Sequence, residues 1–236
     1  MSRTRSNNTG SSNPSSKFLE WDTQESKWEF YDRDLKESKF LPSNTAFIVL
    51  DQLNTAKGWD ERKGGMWANE VRSVKDTLTV KCKDGVIATG TWQEVKPTSG
   101  IKFTKSVYAM AKVGDTYELV NFQLKGCSLT AWIEFQDEIG GQSELEGDVV
   151  VSVSSVVEDK KGAVRFNKPV FSIISRSLTD DAAAQADHLD STLQNYLDDY
   201  FGQAHEELKS EPAPATTTTT TTIMDDDLDD SDQIPF

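Results

Sequence analysis

Histidine and cysteine are almost missing from this chain of 236 residues, with two of each. His188 and His205 both lie in an acidic C-terminal region, while Cys82 and Cys127 lie in two separate segments that read as buried structure. No zinc-ligand spacing can be assembled from such a set. The cysteines read as reduced core thiols of a cytoplasmic protein. No run approaches the roughly 18 apolar residues that would span a bilayer. The opening "MSRTRSNNTGSSNPSS" has no apolar centre of the kind a secretory signal needs. Neither a G-x-x-x-x-G-K-[ST] phosphate loop nor a G-x-S-x-G elbow occurs. Asp51, on an apolar segment, has no matching carboxylates at a spacing that would make a metal-dependent nuclease of it. These absences count against an enzyme, and no cofactor, metal or membrane partner is implied.

Positive charge is also missing, but only from one part of the chain. The formal net charge is −14. Residues 1–16 carry two arginines and no acid, and residues 17–178 carry 22 bases against 24 acids. Residues 179–236 carry Lys209 alone against 15 acids. The acidity therefore belongs to the C-terminal quarter. Between Lys57 and Lys112 the balance reverses, with 11 bases against 6 acids, which is the kind of footprint a polyanion leaves.

Composition divides the chain into five parts. Residues 1–16, rich in Ser, Asn and Thr, are expected to be disordered. Residues 17–178 read as a β-rich domain. "SKWEFYD" and "TAFIVLDQL" are short aromatic and β-branched runs, and "DTLTVKCKDGVIATGTWQEV" is a hairpin turning at Asp84-Gly85. In "GIKFTKSVYAMA", Ile101, Phe103, Val107 and Ala109 share one parity, and Lys102, Thr104 and Tyr108 the other. A helix begins near Ser128 and stops at Gly140-Gly141. Two further strands follow, joined by Lys160-Lys161-Gly162. Strands, one helix and a final hairpin follow the order of an OB-fold, a small Greek-key barrel, and that fold is expected here. The stretch "NTAKGWDERKGGMWANEV" reads as a long insert between two strands. Residues 179–202 predict an amphipathic helix with Leu189, Leu193, Tyr196, Leu197 and Tyr200 on one stripe and acids opposite. It either docks on its own barrel or serves self-association. Residues 203–222 form a Thr- and Pro-rich tether, and residues 223–236 an acidic tip.

The remaining chemistry is a mixture of bases and flat rings. Lys57, Trp59, Arg62, Lys63 and Trp67 crowd the glycine-containing insert, and Lys102, Lys105 and Tyr108 repeat the mixture on a strand. Lys160, Lys161, Arg165 and Phe166 repeat it at the last hairpin. Single-stranded nucleic acid asks for such a set: cations follow the phosphates, and rings stack on unpaired bases at about 1–3 kcal/mol per base. Many of the aromatics, Trp132 and Phe103 among them, fit a core equally well. Trp59 and Trp67, with polar flanks, are either exposed for binding or tucked beneath their loop.

The chain ends "MDDDLDDSDQIPF", six aspartates followed by an apolar plug. This resembles the C-terminal tip of bacterial single-stranded DNA-binding proteins, and the order of domain, tether and tip resembles the divergent members encoded by bacteriophages. The resemblance implies a non-catalytic protein that coats single-stranded DNA during replication, recombination and repair. It implies that the tip recruits host or phage proteins of those processes, in the cytoplasm of a bacterial host. Ile234, Pro235 and Phe236 would fill a partner's apolar pocket, with Asp229, Asp230 and Asp232 on its basic rim. Gln233 departs from the family, which commonly has an aspartate there. Two alternatives stay open: an adaptor or host-enzyme inhibitor that carries the tip without binding DNA, and a strand-annealing recombination protein.

Overall fold

A computed structural model describes residues 12–98 and 100–210, with side chains as far as residue 202. The chain divides into two compact units, Met1–Tyr200 and Phe201–Phe236. The first eight residues of the expected tether, 203–210, are helical, while residues 211–222 and the acidic tip, including Asp229, Asp230, Asp232, Ile234, Pro235 and Phe236, lie outside the described residues.

The first unit is mainly β. Its centre is an antiparallel meander of β4 (Phe47–Asp60), β8 (Ile101–Val113) and β9 (Thr116–Lys125). β8 is covered on both faces over most of its length, so its alternation shows in the chemistry of each face and hardly in exposure. Residues Ile101, Phe103, Val107 and Ala109 point to one face, termed inner here. Lys102, Thr104, Ser106 and Tyr108 point to the other, the outer face. The register of β8 against its neighbours carries both faces across three strands.

The other strands extend this centre in two directions. β1 (Lys17–Asp22) runs parallel to β9 and begins an N-terminal meander with β2 (Lys27–Asp32) and β3 (Glu37–Leu41). On the far side, β4 pairs with β5 (Gly64–Ala68), which leads to β6 (Leu78–Cys82) and β7 (Gly85–Gly90). The stretch expected to be a loop-like insert is therefore mostly strand: β4 runs on to Asp60 and turns directly into β5. A short helix α1 (Trp92–Val95), closed by a Thr91–Glu94 capping box, leads into β8. β10 (Val150–Lys161) returns beside the start of β4 and forms a long ribbon with β11 (Val164–Ser175).

The inner face is the apolar core. Phe122 of β9 packs against Trp28 and Phe47 at ring separations of 4.7 and 4.5 Å, and helix α2 (Cys127–Ile139) lowers Trp132 and Phe135 onto the same cluster. Phe171 of β11 meets Trp132 edge-on at 5.0 Å. The fully buried Trp132 indole donates to Gln52 Oε1 at 3.0 Å, so its one polar atom is satisfied. Helix α2 starts one residue before Ser128, which sits inside the first turn and accepts from and donates to Lys125. Gly140, at φ 97°, supplies the left-handed stop.

The outer face is partly covered by α3 (Asp180–Ser210), which continues past Gly202 where a stop was expected. Leu193, Tyr196 and Leu197 are buried, so this helix docks on its own domain. Residues 12–16, grouped by composition with the N-terminal low-complexity segment, run against the sheet. Asn13 donates to the Tyr108 hydroxyl at 2.8 Å, and Ser16 N–H donates to Leu119 O.

Candidate nucleic-acid interface

The open end of the outer face is built by register. Lys57 on β4 stands directly opposite Trp67 on β5, and Trp67 opposite Lys81 on β6. On the other side Lys57 faces Lys102 on β8, and Lys81 faces Val86 on β7. Directly opposed residues share a face, so one row crosses five strands: Val86, Lys81, Trp67, Lys57, Lys102. Trp59, two residues beyond Lys57, joins that face opposite Gly65, where no side chain competes with its ring. Trp59 is 69% exposed and Trp67 46%.

Two local devices hold Trp59 out. The Asp60 carboxylate accepts the backbone N–H groups of Arg62 and Lys63 at 2.9 and 3.1 Å, which closes the β4–β5 turn and lowers its own pKa. The turn thereby places Arg62 and Lys63 at the tip of the hairpin whose strand carries Trp59. Beneath it, Trp59 N–H donates to Gly100 O at 3.2 Å, and a Cβ on Gly58 would stand 1.9 Å from that oxygen. Only glycine permits this approach of β4 to the start of β8.

The inner end of the patch is less hydrated. Lys57 Nζ lies 5.3 Å from the centre of the Phe18 ring, and burial lowers its pKa, opposed by the carboxylates of Glu70 and Glu20. Lys125, on the same face, pairs with Glu20 at 2.7 Å. The patch therefore grades from exposed rings and lysines at its rim to a half-buried lysine over an aromatic floor.

The structure brings together Lys57, Trp59, Arg62, Lys63, Trp67 and Lys102 from the sequence-derived set. It separates the others. Lys105 has the opposite parity and points to the inner face beside Asn54 and Leu124, where burial lowers its pKa. Tyr108 has the right parity but is 0% exposed: its hydroxyl donates to Glu70 Oε2 at 2.6 Å, and burial, with Glu70, drives its pKa strongly upward. In this arrangement it offers no stacking surface. Lys160, Lys161, Arg165 and Phe166 sit at the tip of the β10–β11 ribbon, where Arg165 pairs with Glu158 at 2.9 Å. Asn167, just behind that tip, is tied to the β1–β2 turn through Thr23 O and Trp21 Nε1. The parallel register of β1 with β9 places that turn at the same end of the sheet as Lys125 and Lys102.

Lys81 and Lys125 complete the patch and were not singled out from sequence. Lys81 carries a signal in the alternation of "LTVKC", but its place beside Trp67 depends on a pairing across the long β5–β6 connection. Among the described residues no group of three or more His, Cys, Asp or Glu could hold a metal ion, and no helix is long and apolar enough to cross a membrane. Compared with family models, curated proteins and solved structures, the chain matches none.

Proposed function

We propose that this protein binds single-stranded DNA without sequence preference through the outer face of its sheet, and recruits partner proteins through its acidic tip. One observation carries the reading: the cross-strand row in which lysines alternate with an exposed tryptophan, joined by Trp59 and the basic β4–β5 turn. Three lysines in line track a phosphate backbone, and the rings between them take unpaired bases. Cations on phosphates and rings on base faces need no base-edge contact, so the interaction tolerates any sequence.

Strand connectivity supports the same reading. Taking β4, β8, β9, β10 and β11 as the five strands of an OB-fold, α2 falls between the third and fourth, and the fourth returns beside the first. That fold binds oligonucleotides on the face of its second and third strands and on the loops joining strands one to two and four to five. Lys102 then lies on the second strand. The strand-bearing insert with Trp59 and Trp67 is the first loop, and the Lys160–Arg165 tip is the second. The departure is at the edge, where β1 takes the parallel place beside β9 and β11, among the described strands, pairs with β10 alone.

Fluorescence anisotropy with labelled oligo-dT, and with a duplex of equal length, tests the proposal. Single-strand binding that weakens on Trp67→Ala supports it; equal affinity for duplex, indifferent to Trp67→Ala, overturns it.

A further inference from the structure

The outer face does not end at the exposed patch. Along β8 and β9 the row of Lys57 and Lys102 is followed by Thr55, Thr104 and Lys125, then Leu53, Ser106 and Gln123, then Asp51, Tyr108 and Asn121. The last row meets α3 and residues 12–16, where Tyr108 interacts with Tyr196 and accepts from Asn13, and the row before it is buried alongside. Ser106, Tyr108, Asn121 and Gln123 are at most 1% exposed. They form a polar trough: Ser106 and Tyr108 donate to the Glu70 carboxylate, Asn121 donates to Ser106 at 2.7 Å, and Gln123 donates to Ser106 and Asn121. Gln123 Oε1 is buried with no hydrogen-bond partner, as is Ser15 Oγ in the covering segment. A helix docked for stability alone would be expected to rest on apolar residues, since a buried polar floor returns little and costs free energy at each unsatisfied atom.

The cover is held lightly. Over residues 179–200 its buried side chains are Ala182, Leu193, Tyr196 and Leu197. Its first half stands off the sheet across a cavity of about 390 Å³, walled by Ala186, Asp187 and Asp190 on one side and residues 48–52 on the other. Glu146 and Asp148 line that space with the helix carboxylates, and like charges there oppose closure, while Asp51 is compensated by Arg72 at 3.1 Å. The other end, where Leu193, Tyr196 and Leu197 are buried, adds a polar tie: Glu70 N–H donates to the Tyr200 hydroxyl at 2.8 Å. The same Glu70 ties Ser106 and Tyr108, so helix and trough meet at one residue. Residues 179–202 include six aspartates and no Lys or Arg, so the cover has the charge sign of a nucleic acid strand.

We propose that the trough of Ser106, Tyr108, Asn121 and Gln123 is a covered length of the single-strand interface, and that α3 is a strap displaced from it when the strand extends inward from Trp67 and Lys57. The hydroxyl and amide groups donate to sugar and phosphate oxygens of the strand, contacts that carry no sequence information, once Tyr200 releases Glu70. Tyr108 then regains a ring face on the strand side. This rests on the proposed DNA-binding reading.

Hydrogen–deuterium exchange on the full-length protein, free and saturated with oligo-dT, is the test. Amides of α3 between Ala182 and Tyr200 should lose protection on saturation, while the centre of β8 keeps it. Tyr200→Phe, which removes the acceptor of the Glu70 N–H and keeps the ring, should tighten oligo-dT binding about fivefold, the worth of one hydrogen bond. Unchanged or increased protection of α3 at saturation, with no gain from Tyr200→Phe, overturns the strap. If that result comes with binding that still depends on Trp67, the exposed interface stands and only the strap falls. If oligo-dT does not bind, both fall.

Discussion

Replacing Lys57 with methionine separates binding from stability, because the two should move in different directions. Lys57 sits at the centre of the row, flanked by Trp67 and Lys102, and burial works against its charge. Each phosphate neutralised on a single strand contributes a slope of about −0.7 to log K against log salt. With Lys57, Lys81 and Lys102 each on a phosphate, the slope is about −2.1, and a fourfold rise in salt weakens binding about 18-fold. Without Lys57 the slope is about −1.4 and the same rise costs only about sevenfold. Stability should not fall in parallel. A lysine whose folded pKa is lowered binds fewer protons folded than unfolded, so its charge costs stability at neutral pH. That cost disappears as pH rises from its lowered folded pKa through the ordinary lysine value. Methionine removes it at every pH while filling similar volume, and forgoes about 0.5–1 kcal/mol of attraction to the Phe18 ring. Urea unfolding at pH 7 should therefore place the variant within about 1 kcal/mol of the parent or above it. Anisotropy titrations between 50 and 200 mM salt give the slope. An unchanged slope, or a loss of several kcal/mol in stability, would refute the assignment of Lys57 as a phosphate contact held at a desolvation cost.

Two further outcomes follow from the geometry. Gly58→Ala drives a Cβ to 1.9 Å from Gly100 O and should destabilise by about 1–3 kcal/mol or more, whereas Gly65→Ala, with its nearest neighbour at 4.0 Å on the Trp59 ring, should be close to neutral. Thermal unfolding distinguishes them, and equal Tm values would contradict the close crossing of β4 and β8. Deleting residues 223–236 removes six aspartates, so oligo-dT affinity should rise at low salt, converge with the parent at high salt, and capture of tip-binding partners should be lost. Identical affinities at low salt would remove the competition between tip and DNA while leaving docking intact.

The parts that could be read in the sequence were those settled within one strand or one turn. The parity of Ile101, Phe103, Val107 and Ala109 gave the inner face of β8, and Asp84-Gly85 and Gly140 marked turns where they occur. The strand order β4, β8, β9, α2, β10, β11 was also legible, since each piece has its own period. Register was not. Lys81 and Trp67 become neighbours only when β5 and β6 pair across the segment between them, and nothing local specifies that offset. Tyr108 was grouped with Lys102 and Lys105 as a ring among bases, and it does share the face of Lys102. Its burial depends on Glu70 and Asn13, 38 and 95 residues away in the chain. Lys105 failed the parity test that its neighbours passed, and its lysine character outweighed its position. The parallel β1–β9 pair joins residues 103 apart and leaves no pattern in either strand.

The most direct test is a tryptophan-fluorescence titration with oligo-dT, on full-length protein and on protein lacking residues 223–236, at low and high salt. Trp28 and Trp132 are 0% exposed, Trp92 7% and Trp21 9%, so a bound strand can reach only Trp59 and Trp67. The account predicts saturable quenching that weakens with salt, and nearly complete loss of that signal in a Trp59→Phe, Trp67→Phe double variant that still binds. Absence of quenching at low salt with the tip removed, or quenching undiminished in the double variant, would contradict it.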